Sequence, residues 1–198
     1  RSSDLIEKKG FKIGFIGLAE SDWLSVLRIP SDHLIYEDFT ICAERMNKYL
    51  REEHKCDLVI ALTHMRNKND EKLAQEFTGL DLILGGHDHF RMCENINGTY
   101  VIKSGCEFRE FSKIVLTPLS REKVSTLEEE ERKMLYKERF LFNIEHIEVT
   151  SQWTPDPELV EHVKKYQKIF QEKLNVPIGH TSVDLETHFC KIRCSERN

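Results

Sequence analysis

Two short apolar runs, each closing on histidine, constrain this chain more than any other feature. Asp57–Leu62 (DLVIAL) leads into Thr63-His64, and Asp81–Leu84 (DLIL) leads into Gly85-Gly86-His87-Asp88-His89. Such runs show none of the alternation of a strand with one wet face; they suit strands covered on both faces of a parallel sheet. Each is preceded by a segment of helical periodicity. Phe39, Cys42, Met46, Tyr49 and Leu50 recur at helical spacing within Asp38–His54, with Asp38 as the N-cap. Leu73, Ala74 and Phe77 form the inner stripe of a second helix, capped by Asn69 or Asp70. With Phe11–Leu18 (FKIGFIGL) as a buried strand followed by a loop around Trp23, the chain reads as two successive strand-helix-strand units. The predicted class is therefore α/β, with mostly parallel strands.

After His89 the pattern changes. Asn97-Gly98 is a hairpin turn signal, and Tyr100–Ser104 and Ser112–Leu119 continue as meander-like β structure. Arg121–Arg139, which includes Glu128–Glu131, is too charged for core and reads as a solvated excursion. Arg139–Val149 returns as a strand. Asp156-Pro157 opens a helix, with a stripe of Leu159, Val163, Tyr166, Phe170 and Leu174, and Pro177–Arg193 reads as strand again. Arg1–Lys9 is a charged segment running straight into a strand, as if the chain began in mid-domain, and it carries no signal-peptide pattern.

A chain of 198 residues with 39% hydrophobic content can bury one main core and a small appendage. A formal charge of -5 provides no basic face for nucleic acid, and no apolar run approaches the roughly 20 residues of a membrane span. The six cysteines (Cys42, Cys56, Cys93, Cys106, Cys190, Cys194) lack C-x-x-C spacing and read as free thiols. Cys190 and Cys194, four apart, would share one face of a strand, which leaves a metal pair as the alternative.

His64 and His87 fall just past the ends of buried strands, where sites form in open α/β sheets, and His89 follows two residues later. Gly85 and Gly86 would let the backbone turn tightly and aim His87 and His89 at a common point. Converging imidazoles are ligands for cations of the zinc, manganese and iron class. A lone histidine is more often exposed or bonded to backbone, and H-x-H by itself is weak; the repeated placement after two matched apolar runs favours the metal. Arg109, after Lys103-Ser104-Gly105, and Arg66 could meet a phosphate, although ion pairing is the commoner fate of such arginines. Asn97-Gly98-Thr99 matches a glycosylation acceptor but is explained by the turn. Trp23 and Trp153 read as packing residues.

Leu62–Met65 (LTHM) together with Gly85–His89 (GGHDH) resembles the calcineurin-like metallophosphoesterases, and within them the 5'-nucleotidase branch. Lys12–Leu18 (KIGFIGL), Asn69–Ala74 (NDEKLA) and Lys103–Gly105 (KSG) extend the similarity over most of residues 10–119. The helix from Asp156 to Leu174 is similar to that branch's interdomain linker, and Val183–Asn198 resembles the entry to its second domain. The resemblance implies part of a four-layer α/β/β/α sandwich, with residues 1–150 as the C-terminal half of the catalytic domain. Residues 151–176 would be the linker helix and 177–198 the start of a C-terminal domain.

The same resemblance implies two divalent metal ions (zinc, manganese, iron or similar). His64 and His87 would ligate one and His89 the other, with Asp88 supporting the loop between ligands rather than reacting. Two such ions, about 4 Å apart with a bridging hydroxide, would hydrolyse a small phosphomonoester or nucleotide, a nucleoside 5'-phosphate first, with other phosphate esters left open. The family pattern also expects a D-x-H, a G-D and a G-N-H, none of which occurs here; Ser31-Asp32-His33 does not supply them. No catalytic residue is therefore assigned in this chain, and on its own it is expected to be inactive. A non-catalytic scaffold retaining the fold is the competing reading. A metallo-β-lactamase-like hydrolase is disfavoured, since Met65-Arg66 after His64 breaks the T-H-x-H-x-D-H run. Metal identity, compartment and oligomeric state stay open.

Overall fold

In the computed structural model, which describes residues 3–26, 34–119, 126–129, 135–136, 140–177 and 179–184, the two apolar runs are adjacent central strands. The elements are β1 (Ser3–Lys8), β2 (Phe11–Ala19), a 3₁₀ turn (Ser21–Val26), α1 (Phe39–Glu52), β3 (Leu58–His64), α2 (Asn67–Glu76) and β4 (Leu82–Gly85). There follow β5 (Arg91–Ile96), β6 (Thr99–Ser104), β7 (Glu110–Pro118), β8 (Leu135–Tyr136), β9 (Phe140–Glu148) and α3 (Pro157–Leu174). One sheet has the order β1-β2-β3-β4-β6-β5 and the other β7-β9-β8. In the larger sheet β2, β3, β4 and β6 run parallel, flanked by antiparallel β1 and β5.

The apolar character of β3 follows from burial on both faces. Val59 and Ala61 point into a core with Ala43, Met46 and Leu50 of α1 and Leu73 and Ala74 of α2. Ile60, between them, joins Leu82, Ile102 and Phe142 in a second core, packed by Ile114, Leu116 and Ile144 of the smaller sheet. Helices, large sheet and small sheet are thus three successive layers, α/β/β, of the sandwich.

Several expectations need correction. The segment after His89 is not a single meander: the β5-β6 hairpin returns β6 to the larger sheet, parallel to β4, because Val101 and Ile102 are buried on opposite faces just as in β3. Arg1–Lys9 contributes the edge strand β1, whose return into β2 is made at Lys9 and Gly10, both left-handed (φ 53 and 79). Asn97 and Gly98 (φ 50 and 87) form the anticipated two-residue hairpin loop. Thr99 beyond it is buried, its hydroxyl donating to Leu80 O at 3.1 Å, so the turn accounts for these residues. Asp38 caps α1 by accepting from Thr40 N at 2.9 Å. Neither Asn69 nor Asp70 caps α2, which begins at Asn67 with no side-chain cap; both side chains are drawn into tertiary contacts instead.

The chain divides into two units, Arg1–Thr150 and Ser151–Asn198. In the second, Asp156 Oδ1 accepts from Leu159 N at 3.0 Å to cap α3, and the apolar stripe of that helix is exposed. Trp153, expected to pack, is 52% exposed. Residues 177 and 179–184 form no strand, contrary to the expectation for Pro177–Arg193. The rest of that segment, with Cys190 and Cys194, lies outside the described residues, as do Ser31–His33 and most of Arg121–Arg139. The described cysteines, Cys42, Cys56, Cys93 and Cys106, are free thiols. No described helix is long and apolar enough to cross a membrane.

One buried carboxylate ties the start of β3, the start of β4 and the end of α1. Asp81 Oδ2 accepts from Val59 N and from Arg51 Nη2, each at 2.5 Å, while Arg51 Nη1 donates to Cys56 O and Asp57 O. Asp81→Ala would orphan a buried amide and break the ion pair, at a cost of about 3 kcal/mol. Urea unfolding followed by circular dichroism should show this as a lower midpoint; an unchanged midpoint would refute the role.

Candidate functional site

Because β2, β3, β4 and β6 are parallel, their carboxyl ends share one edge of the sheet, and the chain leaves that edge at Glu20–Trp23, His64–Arg66, Gly86–His89 and Gly105–Arg109. Gly86 N donates to Thr63 O at 2.9 Å, extending the β3-β4 contact one step past the strand. This register brings the rings of His64 and His87 to a centroid separation of 5.4 Å, at 70°. His87 (φ 72) and His89 (φ 46) both have left-handed backbone, which costs a residue with a Cβ about 1–2 kcal/mol and persists only where surrounding contacts impose it.

Trp23 completes a three-ring cluster. Its Nε1 donates to His64 O at 2.8 Å, and its ring stands edge to face with His64 (4.9 Å) and His87 (5.3 Å). Reading Trp23 as a plain packing residue missed this role. The available signal was positional, since a residue just past β2 must reach the same edge as residues just past β3 and β4.

The glycines are needed for a different reason from the one anticipated. Neither Gly85 nor Gly86 is left-handed; the tight backbone is at His87 and His89. A Cβ on Gly85 would lie 2.8 Å from Asp70 Oδ2 and 3.1 Å from Lys103 Nζ, and one on Gly86 would lie 3.3 Å from His64 Nδ1. Gly85 therefore makes room for a buried ion pair, and Gly86 for an imidazole.

That ion pair is the group the sequence concealed. Lys103, 2% exposed, places Nζ 2.7 Å from Asp70 Oδ2 and 3.0 Å from Asp88 Oδ2, and donates to Gly86 O at 2.7 Å and Met65 O at 3.1 Å. Asp70 also accepts from the Thr63 hydroxyl at 2.5 Å. Burial pushes the Asp70 carboxyl above its usual range, outweighing the opposing pull of Lys103 and Thr63. With its folded value raised, Asp70 contributes most stability at acid pH, and this contribution fades as pH rises through the raised value.

Arg66 is engaged by Glu20 (2.7 Å) and Asp22 (2.6 Å), which raise its pKa, the Asp22 hydrogen bond most. Asn69 Nδ2 donates to the same Glu20. Glu20, Asp22 and Arg66, with Trp23, Leu24 and His87, line an open cleft of about 490 Å³. Arg109 is 77% exposed and pairs with Glu107. Of the residues singled out in the sequence, His64 and His87 come together, Asp88 braces the loop through Lys103, and His89 and Arg109 show no described contact with the imidazole pair.

Among the described residues no group of three or more His, Cys, Asp or Glu side chains converges on one point. The paired imidazoles fit a cation of the zinc, manganese or iron class by their donor chemistry, as part of a coordination shell rather than the whole.

No protein-family model matches the chain. It is similar to the trifunctional nucleotide phosphoesterase protein YfkN of Bacillus subtilis, 25% identical over 199 residues, covering 98% of this chain and 13% of that protein. A 5'-nucleotidase of Vibrio vulnificus is 24% identical over 237 residues, covering 98% of this chain and 41% of that protein. The chain thus spans less than half of these curated relatives. Among solved structures, a 5'-nucleotidase precursor from Thermus thermophilus matches with a TM-score of 0.69 at 17% identity, over 93% of this chain and 37% of that one. The calcineurin-like phosphoesterase YfkN from Bacillus subtilis matches with a TM-score of 0.62 at 15% identity, over 87% and 58%.

The two glycines yield a paired prediction. Gly85→Ala should destabilise the fold by about 2 kcal/mol through overpacking against Asp70 and Lys103. Gly86→Ala should change stability by under about 1 kcal/mol while moving the His64 ring, read as a shift of its side-chain NMR signals. Equal stability losses with an unmoved His64 would contradict the assignment.

Proposed function

We propose that this chain, a homologue of 5'-nucleotidases with the fold of a calcineurin-like phosphoesterase domain, supplies one edge of a metal-dependent phosphomonoesterase site acting on nucleoside 5'-phosphates. The observation that carries this reading is the His64-His87 ring pair at the carboxyl edge of the parallel sheet. His64 and His87 would hold one divalent ion and His89 the other. When bound, such ions supply Lewis-acid chemistry, activating a water and neutralising charge on the phosphate. The chain's own residues do the positioning. Trp23 fixes the His64 backbone through its indole N–H, and Asp88, held by Lys103, stiffens the loop between His87 and His89. Arg66, already bound by two carboxylates, shapes the cleft rather than meeting phosphate.

Residues 1–150 are read as the later half of the catalytic domain, 151–176 as the linker helix and 177–198 as the start of a second domain. Since the D-x-H, G-D and G-N-H donors are not in this sequence, the chain alone is inactive in this reading. The scaffold alternative draws on the lack of a three-donor cluster among the described residues.

Two measurements separate these. Joined to an upstream half bearing the three motifs, the chain should hydrolyse AMP with chelator-sensitive turnover that His87→Ala lowers at least about 100-fold. Elemental analysis should then find about two divalent ions per molecule. A metal-free, folded assembly would favour the scaffold, and robust chelator-sensitive turnover by the chain alone would overturn its inactivity.

A further inference from the structure

We infer that Lys103 is the positioning residue for the His64-His87 pair, setting both the separation of the two histidines and the left-handed backbone of His87. Its ammonium donates to Met65 O, the residue after His64, and to Gly86 O, the residue before His87. It also contacts Asp88 Oδ2, on the residue after His87. One buried cation therefore grips the chain on both sides of His87 and just beyond His64. A lysine serving only to hold α2 against β6 would need Asp70 alone, 2.7 Å away.

The contacts also explain why His87 adopts φ 72, a conformation that favours glycine. Asp88 N donates to Gly86 O at 3.0 Å, closing a tight turn around His87, and that same carbonyl is the acceptor at 2.7 Å from Nζ. Gly85 permits the arrangement by leaving space where a Cβ would strike the ion pair. Low dielectric around a lysine that is 2% exposed makes each of these charge-assisted bonds stronger than its solvent-exposed counterpart. Lys103 is buried and does not line the open cleft that His87 reaches; it acts through His87.

Only the metal arm of the test rests on the proposed function. Replacing Lys103 alone would strand the Asp70 carboxylate, so the informative variants are Asp88→Asn and the double variant Lys103→Met with Asp70→Asn, made in the whole chain. The first readout is metal-free hydrogen exchange of the Gly86 and Asp88 amides. They should exchange at least about tenfold faster in the double variant, and faster in the same direction in Asp88→Asn, while the amides of Val59 and Ile83 keep their protection relative to global stability. The second readout is titration with Zn²⁺ alone, where affinity should fall about tenfold, the range seen when partners behind metal ligands are lost. Unchanged Gly86 and Asp88 exchange in a folded double variant would overturn the inference. Should the double variant not fold, unchanged exchange in Asp88→Asn would do so. If no protein binds Zn²⁺, the metal reading fails while the exchange arm still decides the role of Lys103.

Discussion

A buried ammonium has to be neutralised where three strands end, and much of the local sequence follows from that constraint. Lys103 on β6 sits against the ends of β3 and β4 with little access to water, so its charge must be met within the protein. Asp70 answers from α2, inside the helix, and Thr63 supports Asp70. Two backbone carbonyls and Asp88 complete the surroundings. Gly85 is small because the ion pair occupies the space a side chain would fill. The two histidines are then carried on segments whose paths this cluster fixes.

The site belongs to an edge rather than to a single motif. Four parallel strands deliver Trp23, His64, His87 and the Gly105–Arg109 loop to the same side of the sheet, and the three rings of Trp23, His64 and His87 pack edge to face there. Arg66 with Glu20 and Asp22 closes one flank of the cleft. Similarity to 5'-nucleotidases and calcineurin-like phosphoesterases gives this edge a chemical context. The donors that would complete the proposed two-ion site are not in this sequence, and in that proposal the His64-His87 pair would form one side of it.

The sequence was most legible where burial imposes a repeating pattern. The apolar runs of β3 and β4, the amphipathic α1 with its Asp38 cap, the Asn97-Gly98 turn and the Asp156-Pro157 helix start each follow from local rules that tertiary structure did not override. It was least legible where a polar residue serves a distant partner. Asp70 looked like a cap because helix starts favour aspartate, yet its partner lies 33 positions away at Lys103. Trp23 looked like packing because its contacts, His64 and His87, are remote in sequence. Gly85 and Gly86 suggested a turn, whereas side chains contributed by other elements decide both. The β1 edge strand was missed because residues 4–8 are exposed on successive positions, which leaves no apolar alternation to read.

The sharing of one divalent ion by His64 and His87, from neighbouring strand ends, is the proposal to test, by following the imidazole nitrogen resonances of every histidine while Zn²⁺ is added. His64 and His87 should shift together in a single binding step, with His146, held by Glu110 at 3.0 Å, unmoved. Shifts confined to other histidines, or His64 and His87 responding at different Zn²⁺ concentrations, would contradict it.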